Sequence, residues 1–172
     1  LDLGPSFKCQ GKNVNDFISE GFPVSAKLGL ITLVFIVLIA LPLGILAAIK
    51  NGRWQDAFVM TLATLGVTIP SFVIATALIY FFSFRLELLP TFGLDSWQGY
   101  ILPVIALGGY SISFIARLMR SSLLEVMKQD YIRTARMKGQ TEFKVITHHA
   151  LRNALIPVIT ILGPTVAGLL TG

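Results

Sequence analysis

The residues of this chain best suited to chemistry are two adjacent histidines, His148 and His149, a single cysteine, Cys9, and the acids Asp130 and Glu142. Their spacing builds no site. Neighbouring histidines on a helix cannot both face one ligand, and one cysteine excludes an internal disulfide framework and any Cys-based metal centre. Asp130 and Glu142 are the acids closest to the histidines, yet they form no paired-carboxylate or His–acid arrangement. The chain contains no GxxxxGK[ST] loop, no HExxH and no GxSxG, so nucleotide hydrolysis and membrane proteolysis have no residues to run on. No catalytic residue and no cofactor or metal site is read from the sequence, and Cys9 and both histidines read as structural.

Two other groups of residues carry more information. Thr64, Thr68, Pro70, Ser71 and Thr76 place hydroxyls and a proline within one apolar stretch. They fit either of two roles, helix packing or a kinked, hydroxyl-bearing face that lines a pathway. The second group is the segment DYIRTARMKGQTEFKVITHHALRNALIP, residues 130–157, basic and amphipathic and set between two apolar runs.

Residues 28–49, 57–84, 96–116 and 153–172 contain no Lys, Arg, Asp or Glu, and each is near the ~20 residues needed to cross about 30 Å of hydrocarbon. The chain is 54% hydrophobic and 13% charged with a mean hydropathy of +0.75, which leaves too little polar surface to wrap a soluble core. The predicted fold class is all-α, a polytopic transmembrane helical bundle. It has about four spans, at residues 24–49, 57–84, 99–119 and 154–172, with residues 1–23 external and a loop over residues 120–153. No acid lies within a span, which disfavours a proton- or sodium-coupled carrier. If a solute moves through this chain, the energy enters elsewhere.

Lys and Arg set the orientation. Residues 117–152 carry Arg117, Arg120, Lys128, Arg133, Arg136, Lys138, Lys144 and Arg152 against Glu125, Asp130 and Glu142, whereas residues 85–99 have Arg85 against Glu87 and Asp95. The positive-inside bias puts residues 120–152 and the 50–56 connection in the cytoplasm, and residues 1–23 and 85–99 outside. This bias accounts for the net charge of +5 and the pI near 9.6. The basic residues are not interleaved with aromatics as a stacking platform requires, so no nucleic-acid partner is expected.

At 100° per residue, Leu124, Met127, Tyr131 and Ala135 share one stripe with Glu125, Gln129, Arg133 and Arg136 opposite, so residues 117–138 are predicted as one helix extending the third span into the cytosol. Gly139 stops it, at positive φ. Thr141 is a candidate N-cap with Glu142 in the first turn of a short second helix through about His149, before the chain re-enters the membrane near Leu155. That helix presents Phe143, Val145 and Ile146, which suits either docking to another protein's groove or lying in the lipid headgroups.

At this point the residues resemble a known family. YIRTARMKG followed by HALRNALIP is similar to the cytoplasmic signature loop of ABC-importer permeases, whose pattern is EAA, three residues, Gly, nine residues and IxLP. Thr134, Ala135 and Gly139 fall on the second, third and Gly positions. Arg133 stands where the general pattern has Glu, and of His149, Ala150, Leu151 and Arg152 on the IxLP positions only Leu151 agrees. These departures are like those of the oligopeptide and dipeptide branch, which resembles YIRTARAKG and HALRNAL. The likeness extends to LDLGPSF at the start, FPVSAKLG, TIPSF and the closing GPTVAGLLTG.

The resemblance implies a type I importer permease fold with six spans, of which this chain supplies the second to the fifth. It also implies a bacterial or archaeal cytoplasmic membrane, a second permease subunit, an external binding protein that delivers the substrate, and two cytoplasmic ATPase subunits that bind the ATP. The coupling residues would be Arg133, Thr134, Ala135, Gly139, Thr141, Glu142, Phe143, Val145, Ile146, His149 and Leu151, with Thr64, Thr68, Pro70 and Ser71 as pathway candidates. The substrate implied is a peptide, the alternative within the family being nickel or another small solute; a rival reading outside it is a passive channel subunit, which shares the topology but needs no ATPase.

Overall fold

A computed structural model describes Gly4 and residues 13–171. The opening LDLGPSF motif therefore lies outside the described residues, save Gly4. Helix α1 spans Val14–Ile49. The Asn13 N–H donates to the Asp16 carboxylate at 3.2 Å, closing the first turn with an acid where the helix dipole favours one. Residues 14–23, predicted as part of an external segment, are thus the opening turns of α1. Its 36 residues amount to roughly 54 Å at 1.5 Å per residue, longer than the hydrocarbon of a bilayer.

The second span departs from expectation. Helix α2, Trp54–Thr68, and helix α3, Ser71–Leu78, which continues as a π-helical turn over Ile79–Arg85, meet at an angle of 103°. Pro70 forces the residue before it out of the helical region, and Ile69 is extended at φ −84°, ψ 123°. Among the described residues, three helical runs, Asn15–Ile49, Trp97–Val126 and Glu142–Thr171, are each long and apolar enough to cross a membrane. A fourth crossing exists only if the bent pair counts as one broken span.

Helix α4, Ile101–Val126, enters from a 3-10 turn at Trp97–Tyr100 and packs against α1, α2, α3 and the final helix α7, Leu151–Thr171. The α1–α4 approach is close: a Cβ at Gly44 would lie 2.6 Å from the Ala116 carbonyl oxygen, so only glycine fits. The buried cluster runs from Ile36 and Ala40 through Ile115, Met119 and Leu123 to Ile132, Val145, Ala150 and Val158. It is weighted towards the end of the bundle that carries the basic residues.

The single helix predicted over residues 117–138 is two. After Val126 the chain turns through Met127–Gln129, and Gln129, extended at ψ 151°, opens a separate helix α5, Asp130–Met137. Across the break α5 buries Ala135, as expected from the stripe, together with Ile132, while Tyr131, expected on the same stripe, is exposed. No glycine or proline marks this point. Burial of Ile132 against the core is what re-aims the helix, a tertiary demand that periodicity along one straight axis does not contain. A short helix α6, Glu142–Lys144, then runs through a π-helical stretch, Val145–Ala150, directly into α7. The short helix was predicted to end at His149 before a separate re-entry near Leu155. It is continuous with the last span.

Candidate functional site

Residues 130–153 fold into a hairpin whose turn is Gly139. Gly139 sits at φ +76°, a left-handed conformation that a side chain disfavours, and a Cβ there would touch nothing within 4 Å. The glycine therefore answers a backbone requirement and not a packing one. The Gly139 N–H donates to the Arg136 carbonyl at 2.9 Å and the Gln140 N–H to Ala135 at 3.3 Å, satisfying the end of α5. Thr141 takes the N-cap backbone conformation of α6, but its side chain makes no cap bond.

Side chains close the hairpin. Arg136 Nε donates to Glu142 Oε1 at 2.7 Å and its Nη2 to Oε2 at 3.3 Å, so the acid opening α6 is held by α5. His149 Nε2 lies 2.8 Å from Gln140 Oε1. The Asn153 amide donates to the Tyr131 hydroxyl at 2.7 Å, and Ser122 of α4 donates to the Ala154 carbonyl at 2.9 Å. Of the coupling candidates, Arg133 and Thr134 are exposed and Ala135 is buried, and Ile146, His149 and Leu151 are half-buried. The apolar face predicted for the short helix is split: Phe143 is 77% exposed, but Val145 is fully buried. The π-helical turn rotates Val145 into the core, so it anchors the hairpin and is not part of its outer surface. Met137, 81% exposed beside Gly139, takes its place there.

The hydroxyl-bearing residues divide as well. Thr64, Thr68 and Thr76 each donate to the carbonyl four residues back at 2.8 Å, a bond that satisfies the hydroxyl within its own helix. Pro70 is exposed at the break. Ser71 alone of these lines a cavity of about 510 Å³, walled also by Thr91 and by apolar residues including Leu28, Phe72, Phe92, Leu102 and Leu107. The break at Pro70 thus brings Ser71 to the cavity, while Thr64 and Thr68 lie on the far side of the bend from it.

Sequence reasoning missed Arg136, Gln140, Ser122, Tyr131 and Asn153 as hairpin ties. It also missed an ion pair between Arg120 and Asp56, at 2.6 Å. The available signals were slight: an acid and an arginine flanking a turn glycine, and one acid within the basic 50–56 connection.

An apolar helical bundle with a folded basic hairpin before its last long helix defines an integral membrane protein. Residues 40–172 match the family described as binding-protein-dependent transport system inner membrane component, and the chain belongs to that family. It is 48% identical over 172 residues to the dipeptide transport system permease protein DppB of Bacillus subtilis, covering 100% of this chain and 56% of that protein. It is 45% identical over 177 residues to the oligopeptide transport system permease protein OppB of Haemophilus influenzae, and 42% identical over 171 residues to the glutathione transport system permease protein GsiC of Salmonella paratyphi A. In each case 99% of this chain and 56% of the relative are covered. The chain thus spans little more than half the length of these relatives.

Proposed function

We propose that this chain is a permease subunit of an ATP-driven importer that carries oligopeptides or dipeptides across the cytoplasmic membrane of a bacterium or archaeon. Two separate ATPase subunits bind the ATP on the cytoplasmic side, a second permease subunit completes the pathway, and an external binding protein delivers the peptide. The observation that carries this reading is the two-sided hairpin, whose inner residues Ile132, Ala135 and Val145 are buried in the bundle while Met137 and Phe143 stand exposed. Apolar side chains excluded from the bundle's own core and mounted on a cross-linked turn suit a groove on a partner protein. The peptide class rests on relatives named for dipeptide, oligopeptide and glutathione transport.

In this reading the ATPase pair pushes on α6 as it closes, and the hairpin passes the displacement to α4 and α7 as a rigid body. Coupling is a free energy shared by two sites, so a change at α6 alters ATPase stimulation and transport together. The full-length subunit co-expressed with its partners gives the test. Phe143→Asp is expected to release the ATPase and abolish ATP-dependent peptide uptake at normal membrane abundance. Retained association with unchanged uptake would overturn the docking assignment. Sidedness is checked in a Cys9→Ser background, where a cysteine at position 95 should react with an impermeant reagent in sealed cells and one at position 142 should not.

A further inference from the structure

Arg120 and Asp56 join α4 to α2. Arg120 Nε donates to Asp56 Oδ1 and Nη2 to Oδ2, each at 2.6 Å, and Nη2 also reaches Asn51 Oδ1 at 2.9 Å. The Gly52 N–H adds a bond to Asp56 Oδ2 at 2.9 Å, and Asp56 is only 5% exposed. A guanidinium fork on a carboxylate fixes orientation as well as charge, which a lysine ammonium cannot do.

The pair's place in the fold gives it a mechanical meaning. Asp56 lies in the first turn of α2, and Arg120 lies two residues before Ser122, whose hydroxyl bonds the Ala154 carbonyl of α7. Leu123 follows in the cluster that holds Ile132 and Val145 of the hairpin. This stretch of α4 is therefore tied on one side to the hairpin and α7, and on the other to α2. Further along α2, Gly66 packs closely against Ser113 of α4, a fit that sets no direction. At its far end α2 stops at the 103° break, beyond which Ser71, Phe72 and Ala75 of α3 line the cavity.

Building on the proposed function, we infer that Arg120 and Asp56 are positioning residues that make α2 move with α4, so that displacement of the hairpin reaches the break at Pro70 and the cavity wall. A plain structural staple would affect assembly alone. A positioning pair affects the amount of peptide moved per ATP hydrolysed.

The complete complex in proteoliposomes, with binding protein and a tripeptide as the probe, separates these. Arg120→Lys keeps the charge and loses the fork. It should assemble at wild-type abundance and hydrolyse ATP, with peptide uptake per ATP reduced at least about fivefold. An unchanged ratio overturns the inference. A second measurement uses the wild-type pair: spin labels at exposed positions 61 on α2 and 125 on α4, in a Cys9→Ser background, should hold one distance with and without ATP. A change of more than about 5 Å, one helical turn, overturns the inference, and if the Lys variant fails to assemble this distance decides alone. A wild-type complex without ATP-dependent peptide uptake would instead remove the importer reading on which the inference rests.

Discussion

At the basic end of the molecule, hydrogen bonds run between elements: Ser122 to Ala154, Asn153 to Tyr131, Arg120 to Asp56, and one between Gln140 and His149. Around the break at Pro70 the hydroxyls of Thr64, Thr68 and Thr76 return to their own helices. There the large side chains of Phe72 and Phe92 stay exposed on the wall of a cavity of about 510 Å³. Directional bonds between elements hold a single relative geometry, whereas bonds within one helix leave its orientation to non-directional packing. One region is therefore built to keep its shape when pushed. The other is built to change its shape, or to be completed by something outside it.

The contrast is broken most directly by a charge in each region. Val145→Asp places an unpaired carboxylate in a fully buried site, at a cost of several kcal/mol, and is expected to remove the subunit from the membrane. Phe92→Asp, at a side chain 89% exposed, should leave abundance unchanged. Immunoblots of purified membranes decide it, and equal losses would erase the distinction.

Next in size is Gly139→Val. At φ +76° with nothing within 4 Å of its Cβ, the added side chain meets only a backbone cost of about 1–2 kcal/mol. The subunit should insert normally, because that cost is local. The turn sets how Phe143 is presented, so ATPase association should weaken and ATP-dependent uptake should be lost. A pull-down of the ATPase beside peptide uptake checks both, and normal values of each would detach the hairpin from coupling.

How far the sequence reveals this molecule differs between the same two regions. Apolar runs reveal the long helices, and Gly139 is legible because positive φ favours one residue type. The identity of the hairpin is carried by YIRTARMKG, a local string. The turn at Met127–Gln129 is not legible, because it exists to bury Ile132 and no residue in it has a turn preference. Nor is the inward rotation of Val145, which depends on a π-helical stretch that apolar spacing reads as ordinary α-helix. Pro70 signals a kink, but the 103° angle depends on α4 packing against both arms. Asp56 and Arg120 are far apart in the chain and meet only through α2–α4 packing, so nothing local announces them.

A smaller effect is expected at Ser71, where Ser71→Phe fills part of the cavity without burying a charge. Assembly should be unaffected and uptake partly reduced, more for bulky peptides than for small ones. Uptake assays with a short and a long peptide at matched abundance test this. Loss of the assembled subunit would give Ser71 a packing role and place both regions under the same rule.

The smallest effect sharpens the comparison from inside the rigid region. Arg136 and Glu142 are joined at 2.7 and 3.3 Å across the Gly139 turn, but both side chains are substantially exposed, and such pairs contribute about 0.2–1 kcal/mol. The hairpin is already fixed by the backbone at Gly139, by buried Ile132 and Val145, and by the Gln140–His149 contact. Losing the ion pair should therefore loosen α6 slightly without misplacing Phe143. Arg136→Ala and Glu142→Gln are each expected to lower uptake by less than about fivefold, the equivalent of ~1 kcal/mol, with ATPase association retained. Salt reports the same quantity in the unaltered protein, since an exposed pair is screened at about 1 M, where the Debye length is near 3 Å, so hairpin-dependent ATPase association should change little on going from 0.1 M. If either substitution were as damaging as Gly139→Val, presentation of Phe143 would depend on the charge pair, and the rigidity of this end would be electrostatic instead of packed.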